Sequence, residues 1–214
     1  MPSKKPIMAE KSDIEKYFLQ ILPEIFPSDE CRALLTLVAG ERSGVLLMSV
    51  KEEDEELVRN FCEDFGLNLE FVGERNELLD PGAFITDDPE RFSLLEDSYG
   101  NFYGCSDEAV GKFLGYPEEA IEFYSEAEVP GEEYRKKLTE LHDRGEIDDE
   151  DLRYLQLVDY VPRPEKENIL RAVEEGKGKE KALERFDEEN STRVAEMYLT
   201  ELFNRFDPNR FQEE

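Results

Sequence analysis

Histidine is scarce in this chain of 214 residues, and clustered cysteine, glycine-rich phosphate loops and long apolar runs are missing from it. His142 is its one histidine, so a multi-histidine metal centre is excluded and a histidine-based catalytic triad is strained. Its three cysteines, Cys31, Cys62 and Cys105, are widely spaced and odd in number, forming neither a disulfide framework nor a CxxC knuckle. Reduced thiols and a cytoplasmic location are the expectation. No uninterrupted apolar stretch approaches the roughly 20 residues that cross a bilayer. The N-terminal MPSKKPIMAEKSD has lysines but no following apolar segment, so the chain is expected to be soluble and unexported. Neither GxxxxGK[ST] nor a GxGxxG after a strand is present, which removes the usual nucleotide signatures. No cofactor is expected.

Basic residues are also scarce. Against 26 Lys and Arg stand 54 Asp and Glu, a net charge of -28. Such a field repels phosphate backbones and anionic headgroups, so nucleic acid and membrane are not expected partners. The acids are scattered along the chain, which reads as a solvated surface suited to a saline or warm interior. An acidic docking face for a basic partner is the alternative.

What is present is periodic apolar patterning. Ser12-Asp13-Ile14-Glu15 has the form of a capping box opening a helix that Pro23 should end, and Ser28 is placed to cap a second helix that stops at Gly40. Gly44 to Val50 is a nearly continuous apolar run expected as a strand, Glu52 to Phe65 a helix, and Leu67 to Val72 and Gly82 to Thr86 two further strands. Strand, helix, strand implies a right-handed crossover with the two strands parallel. Ser106 caps a helix stopped by Gly115, and Pro117 suits the first turn of the next. Beyond EAEVPG, every long segment has helical period. In that half, Asp148 and Asp151 take the N-cap and N3 positions of a helix start, with Ile147 and Leu152 spaced as a hydrophobic staple. A longer helix follows from Glu165 to about Asp187, weakened by Gly176 and Gly178, and another from about Thr192. The expected fold class is α/β: a small mixed or parallel sheet flanked by helices, residues 1–128, with a helical C-terminal subdomain, residues 129–214, packed on it.

Chemistry is harder to place. Gly176-Lys177-Gly178-Lys179 lies within a helical pattern and reads as a solvated, slightly frayed helix surface. His142 falls near a helix C-terminus, where an imidazolium benefits from the dipole. Asp87 and Asp88 follow the strand GAFIT and are candidate ligands for a divalent metal, although Asp88-Pro89 is also an ordinary N-cap with an N1 proline. Glu118 and Glu119, in the first turn of a helix, are candidate ligand-binding residues whose charges the dipole also stabilises. The segment from Tyr99 to Tyr124 is dense in aromatics and glycines. It adds Tyr103, Cys105 and Tyr116 to the candidate binding residues, while the spacing of Phe113, Ile121 and Tyr124 equally suits a core.

Two resemblances attach to these segments. Phe113-Leu114-Gly115-Tyr116-Pro117-Glu118-Glu119-Ala120-Ile121 resembles a Leu-Gly-Tyr helix of sensory PAS domains, which would require three long antiparallel strands where this chain turns helical. Gly115-Tyr116-Pro117 and the later Val161-Pro162-Arg163 together resemble an uncharacterised archaeal family in which Gly-Tyr-Pro is followed by paired cysteines and a later Val-Pro-Cys precedes a helix. This sequence has Glu118, Glu119 and Arg163 at those places, so no thiol chemistry carries over, and the family implies no activity.

The functional expectation is a non-catalytic binding or regulatory protein with a protein or small-molecule partner and an undetermined oligomeric state. The alternatives are a carboxylate-dependent, metal-assisted enzyme, needing Asp87, Asp88, Glu118 and Glu119 to converge, and an acidic mimic binding a basic protein surface.

Overall fold

Residues 10–73, 80–95 and 105–205 are described by a computed structural model. Tyr103 lies outside the described residues. The chain opens with α1 (Lys11–Glu15), which runs through a π-helical segment, Lys16–Ile21, into α2 (Leu22–Ile25). Pro23 therefore does not end the helix. Proline lacks the N–H of an α-helical bond and its ring clashes with the carbonyl four residues back, and a wider π turn ahead of it relieves that clash. Ser12 lies inside α1 and makes no cap; the N-cap is Glu10. Ser28 likewise is the first residue of α3 (Ser28–Val38), behind Pro27 at the N-cap.

The sheet consists of β1 (Gly44–Leu47), β2 (Asn68–Val72) and β3 (Gly82–Thr86), with α4 (Glu55–Asp64) between β1 and β2. The α/β class is as expected, but the strand pairing is not. The order is β1-β3-β2 and both pairings are antiparallel, with Thr86 opposite Gly44 on one side and Asn68 on the other. β1 and β2 run in the same direction without touching. All five residues of β3 are buried, so the most apolar strand takes the centre, where both its edges are paired and both its faces covered.

Alternation through this register defines two faces. Val45, Leu47, Ala83, Ile85, Leu69 and Phe71 pack toward α1 to α4, whereas Leu46, Phe84 and Val72 meet α5 (Asp107–Leu114) through Phe113 and Ala109. Cys105 belongs to this second cluster and is buried. On the first face Phe18, Phe61 and Phe65 meet edge-on or tilted with centroids 4.8–6.0 Å apart, a geometry that suits aromatic quadrupoles.

The remaining helices are α6 (Glu118–Glu126), α7 (Pro130–Asp143), α8 (Asp149–Leu155), α9 (Lys166–Asn190) and α10 (Val194–Asn204). Residue 128 falls in the short link between α6 and α7. α7, α8 and the first half of α9 form a cluster around Leu138, Leu152 and Ile169; Leu183, Phe186, Val194 and Tyr198 from α9 and α10 instead enter the core that lies over the sheet. The reciprocal capping box of Asp148 and Asp151 forms as its spacing implies, and Ile147 and Leu152 are buried in one cluster. No helix among the described residues is long and apolar enough to cross a membrane.

The two glycines of α9 differ. A Cβ on Gly176 would stand 2.2 Å from the Tyr154 carbonyl oxygen, so this glycine permits α8 and α9 to touch, whereas a Cβ on Gly178 meets nothing within 4 Å. Gly178→Ala is expected to stabilise the fold by about 1 kcal/mol through helix propensity. Gly176→Ala is expected to destabilise it by roughly 1–3 kcal/mol through overpacking. Urea titrations of the two variants check the opposite signs.

Candidate functional site

Gly115 ends α5 in the left-handed conformation, φ 82°, and turns the chain back so that Tyr116 leaves the helix axis and Pro117 starts α6. A Cβ at residue 115 would also lie 2.8 Å from the Ser43 hydroxyl, which brings this corner against the turn before β1. That turn is fixed from its other side: Thr86, fully buried at the end of β3, donates its hydroxyl to the Ser43 carbonyl at 2.7 Å. Opposite both lies the irregular segment after α8, containing Asp159 and Tyr160, backed by the middle of α9.

These elements enclose a cleft of about 640 Å³ whose wall includes Arg42, Tyr116, Glu118, Glu119, Asp159, Tyr160, Arg171, Glu175 and Lys179. A smaller cavity of about 310 Å³ adjoins it, and Tyr116, Asp159 and Tyr160 belong to both walls. The two tyrosine rings stand 5.6 Å apart at 46°. Segments distant in sequence, Gly115-Tyr116-Pro117 and Tyr160-Val161, thus form one partition.

Beneath the partition is an ion network. Arg42 Nη1 lies 2.8 Å from Asp159 Oδ2, with side chains only 9% and 15% exposed. Lys179, 7% exposed, reaches the same Asp159 oxygen at 3.3 Å and Glu175 Oε1 at 3.1 Å. The Tyr160 hydroxyl donates to Glu175 Oε2 at 2.8 Å, and Arg42 donates to the Gly44 carbonyl at 2.7 Å and the Tyr116 hydroxyl at 3.4 Å. The two cations and two carboxylates balance, which is the condition for burying charge at tolerable cost. At the rim, Arg171 pairs with Glu119 and with Asn168.

The network sets protonation. Burial alone would raise the Asp159 carboxyl, but Arg42, Lys179 and Arg32 reverse this and hold it below the usual carboxylate range. Burial raises both Tyr116, against the opposing charge of Arg42, and Tyr160, with Glu175 adding to the rise. Glu41, at the mouth, is raised by burial against Arg185 and Lys179.

Tyr116, Glu118 and Glu119 are therefore brought together in the cleft wall. Asp87 and Asp88 are not in it. The Asp88 side chain accepts from the Glu90 N–H at 3.1 Å and caps the short 3-10 helix that follows, and both charges act on Arg91, which donates to the Phe113 carbonyl at 2.9 Å. The wall of this cleft therefore holds two of the four carboxylates, and no group of three or more His, Cys, Asp or Glu placed to hold a metal occurs among the described residues. His142 contacts Asp149 at 3.0 Å on the surface. The GKGK segment is neither frayed nor wholly solvated: α9 runs through it unbroken, and Lys179 is buried in the network.

Arg42, Asp159, Tyr160 and Lys179 have no signature in the sequence. The available signal is weak: a tyrosine and an aspartate between a helix end and Pro162, and a lysine spaced to fall on the inner face of α9 beside Ala182 and Leu183. Comparison with protein-family models, curated proteins and solved structures finds no match.

A depressed aspartate contributes stability that is complete above its unfolded value, about 3.9, and is lost as pH falls through its lower folded value. Asp159→Asn leaves two buried cations short of a partner and is expected to cost about 3–5 kcal/mol at pH 7. The difference between wild type and variant should shrink toward zero below about pH 4. Denaturant melts between pH 2 and 7 check this.

Proposed function

We propose that this protein is a non-catalytic binding or regulatory protein that takes a small molecule in the paired cavities around Tyr116 and Tyr160. The observation that carries the reading is the partition itself: two concave spaces share three wall residues whose positions a buried ion network fixes. Concave spaces of a few hundred Å³ with aromatic walls and a few convergent polar groups are the usual form of a ligand site. Prealigned walls spare a ligand the entropy of ordering them.

The protonation states favour binding over catalysis. A general acid or base works best with a pKa near the operating pH. Asp159 is displaced downward and Tyr116 and Tyr160 upward, so the groups nearest the partition hold one charge state through the neutral range.

A thermal-shift screen of small metabolites against the whole chain tests the proposal. At a concentration about 100 times its Kd, a ligand stabilises the fold by about 2.7 kcal/mol. At least one compound is expected to raise Tm and to lose its effect in Val161→Phe, which fills the smaller cavity, or in Arg171→Ala, which strips the rim of the larger. Compounds that stabilise all three proteins equally would refute the site. Conversion of a bound compound to product would refute the non-catalytic reading, and its loss in Glu41→Gln would identify the acid responsible.

A further inference from the structure

The smaller cavity has a chemistry of its own. Its wall, which includes Tyr116, Tyr124, Tyr160 and Asp159, has no lysine or arginine, whereas the larger cleft has Arg42, Arg171 and Lys179. Three tyrosines line it: Tyr116 from the corner between α5 and α6, Tyr124 from α6 and Tyr160 from the segment after α8. Tyr124 is 54% exposed, so its ring lies partly open to solvent at the cavity wall.

We propose that this cavity is an aromatic cage for an organic cation of the alkylammonium class, a reading that rests on the ligand-binding function above. Tyrosine faces carry negative quadrupole potential and attract a cation lying within about 6 Å of the ring centroid. Val110, Ala120, Ile121 and Val161 supply apolar contact for methyl groups beside the rings. The net charge of -28 raises the local concentration of any cation. The Asp159 charge is already shared with Arg42 and Lys179, so the rings carry the attraction. A weakly hydrated ammonium fits this wall better than a metal ion, which needs several converging oxygens. An anion would meet no cationic side chain in it.

Close packing keeps the cage in shape. A Cβ on Gly111 would lie 2.8 Å from Ile121, so α5 and α6 approach at this glycine and set the back wall.

Calorimetry on the full chain at low ionic strength compares choline with 3,3-dimethylbutan-1-ol, a neutral molecule of the same shape. Choline is expected to bind at least about fivefold more tightly, the size of a cation–π preference. Tyr124→Leu should weaken choline by roughly three- to tenfold and leave the alcohol unchanged, while Tyr124→Phe, which keeps the ring, should retain choline binding. Equal affinity for both molecules would overturn the cation assignment while leaving a ligand cavity in place. Failure of choline to bind at millimolar concentration would also overturn it, and the metabolite screen then decides separately whether the paired cavities bind anything. Choline binding that survives Tyr124→Leu unchanged would place the cation elsewhere and refute the cage.

Discussion

Asp159 is held between Arg42 and Lys179 in a region nearly closed to water, and these three charges come from three places that the backbone does not otherwise join. Arg42 belongs to the turn before β1, Asp159 to the irregular segment after α8, and Lys179 to the middle of α9. Breaking such a set strands charge in a poorly solvated site, so the arrangement is all or none in a way that apolar packing is not. It ties the segment after α8 and the middle of α9 to the turn before β1, beside the apolar packing of Leu183, Phe186 and Tyr198 over the sheet.

The antiparallel sheet makes that arrangement reachable. With β3 in the centre, its end at Thr86 lies beside the start of β1 at Gly44, and the Thr86 hydroxyl can hold Ser43. The turn before β1 is then anchored on one side by the sheet and on the other by Gly115, leaving Arg42 directed toward Asp159. A parallel pairing of β1 and β2 would have set the start of β2 at Asn68, not the end of β3 at Thr86, beside Gly44. The helices use the same economy: Gly176 lets α8 lie against α9, and Gly111 lets α5 lie against α6, each at a point where a methyl group would collide.

Local chemistry was legible at several positions whose roles depend on near neighbours, though not at Ser12, Ser28 or Pro23. Gly115 as a left-handed stop, Ser106 as an N-cap, the Asp148 and Asp151 box and the capping role of Asp88 follow from spacing alone. Strand order did not follow, because the expectation that consecutive strands pair is only a tendency and the burial of β3 on both faces overrode it. Tyr116, Glu118 and Glu119 were legible as one patch since they are contiguous. Their partners were not, since Lys179 on a charged helix looks like any solvated lysine until Asp159, twenty residues earlier, is seen beside it. Asp87 and Asp88 show the converse: adjacent carboxylates at a strand end suggest a metal, and a hydrogen bond to the Glu90 N–H gives Asp88 an ordinary structural task.

The account centres on the buried pairing of Arg42 with Asp159 as the contact that holds the two halves of the cleft in register. A double-mutant cycle with Arg42→Met and Asp159→Asn, measured by chemical denaturation at pH 7, isolates that coupling. The expected interaction energy is about 2–3 kcal/mol, the upper range for residues in one network. Additivity within about 0.5 kcal/mol would contradict the claim.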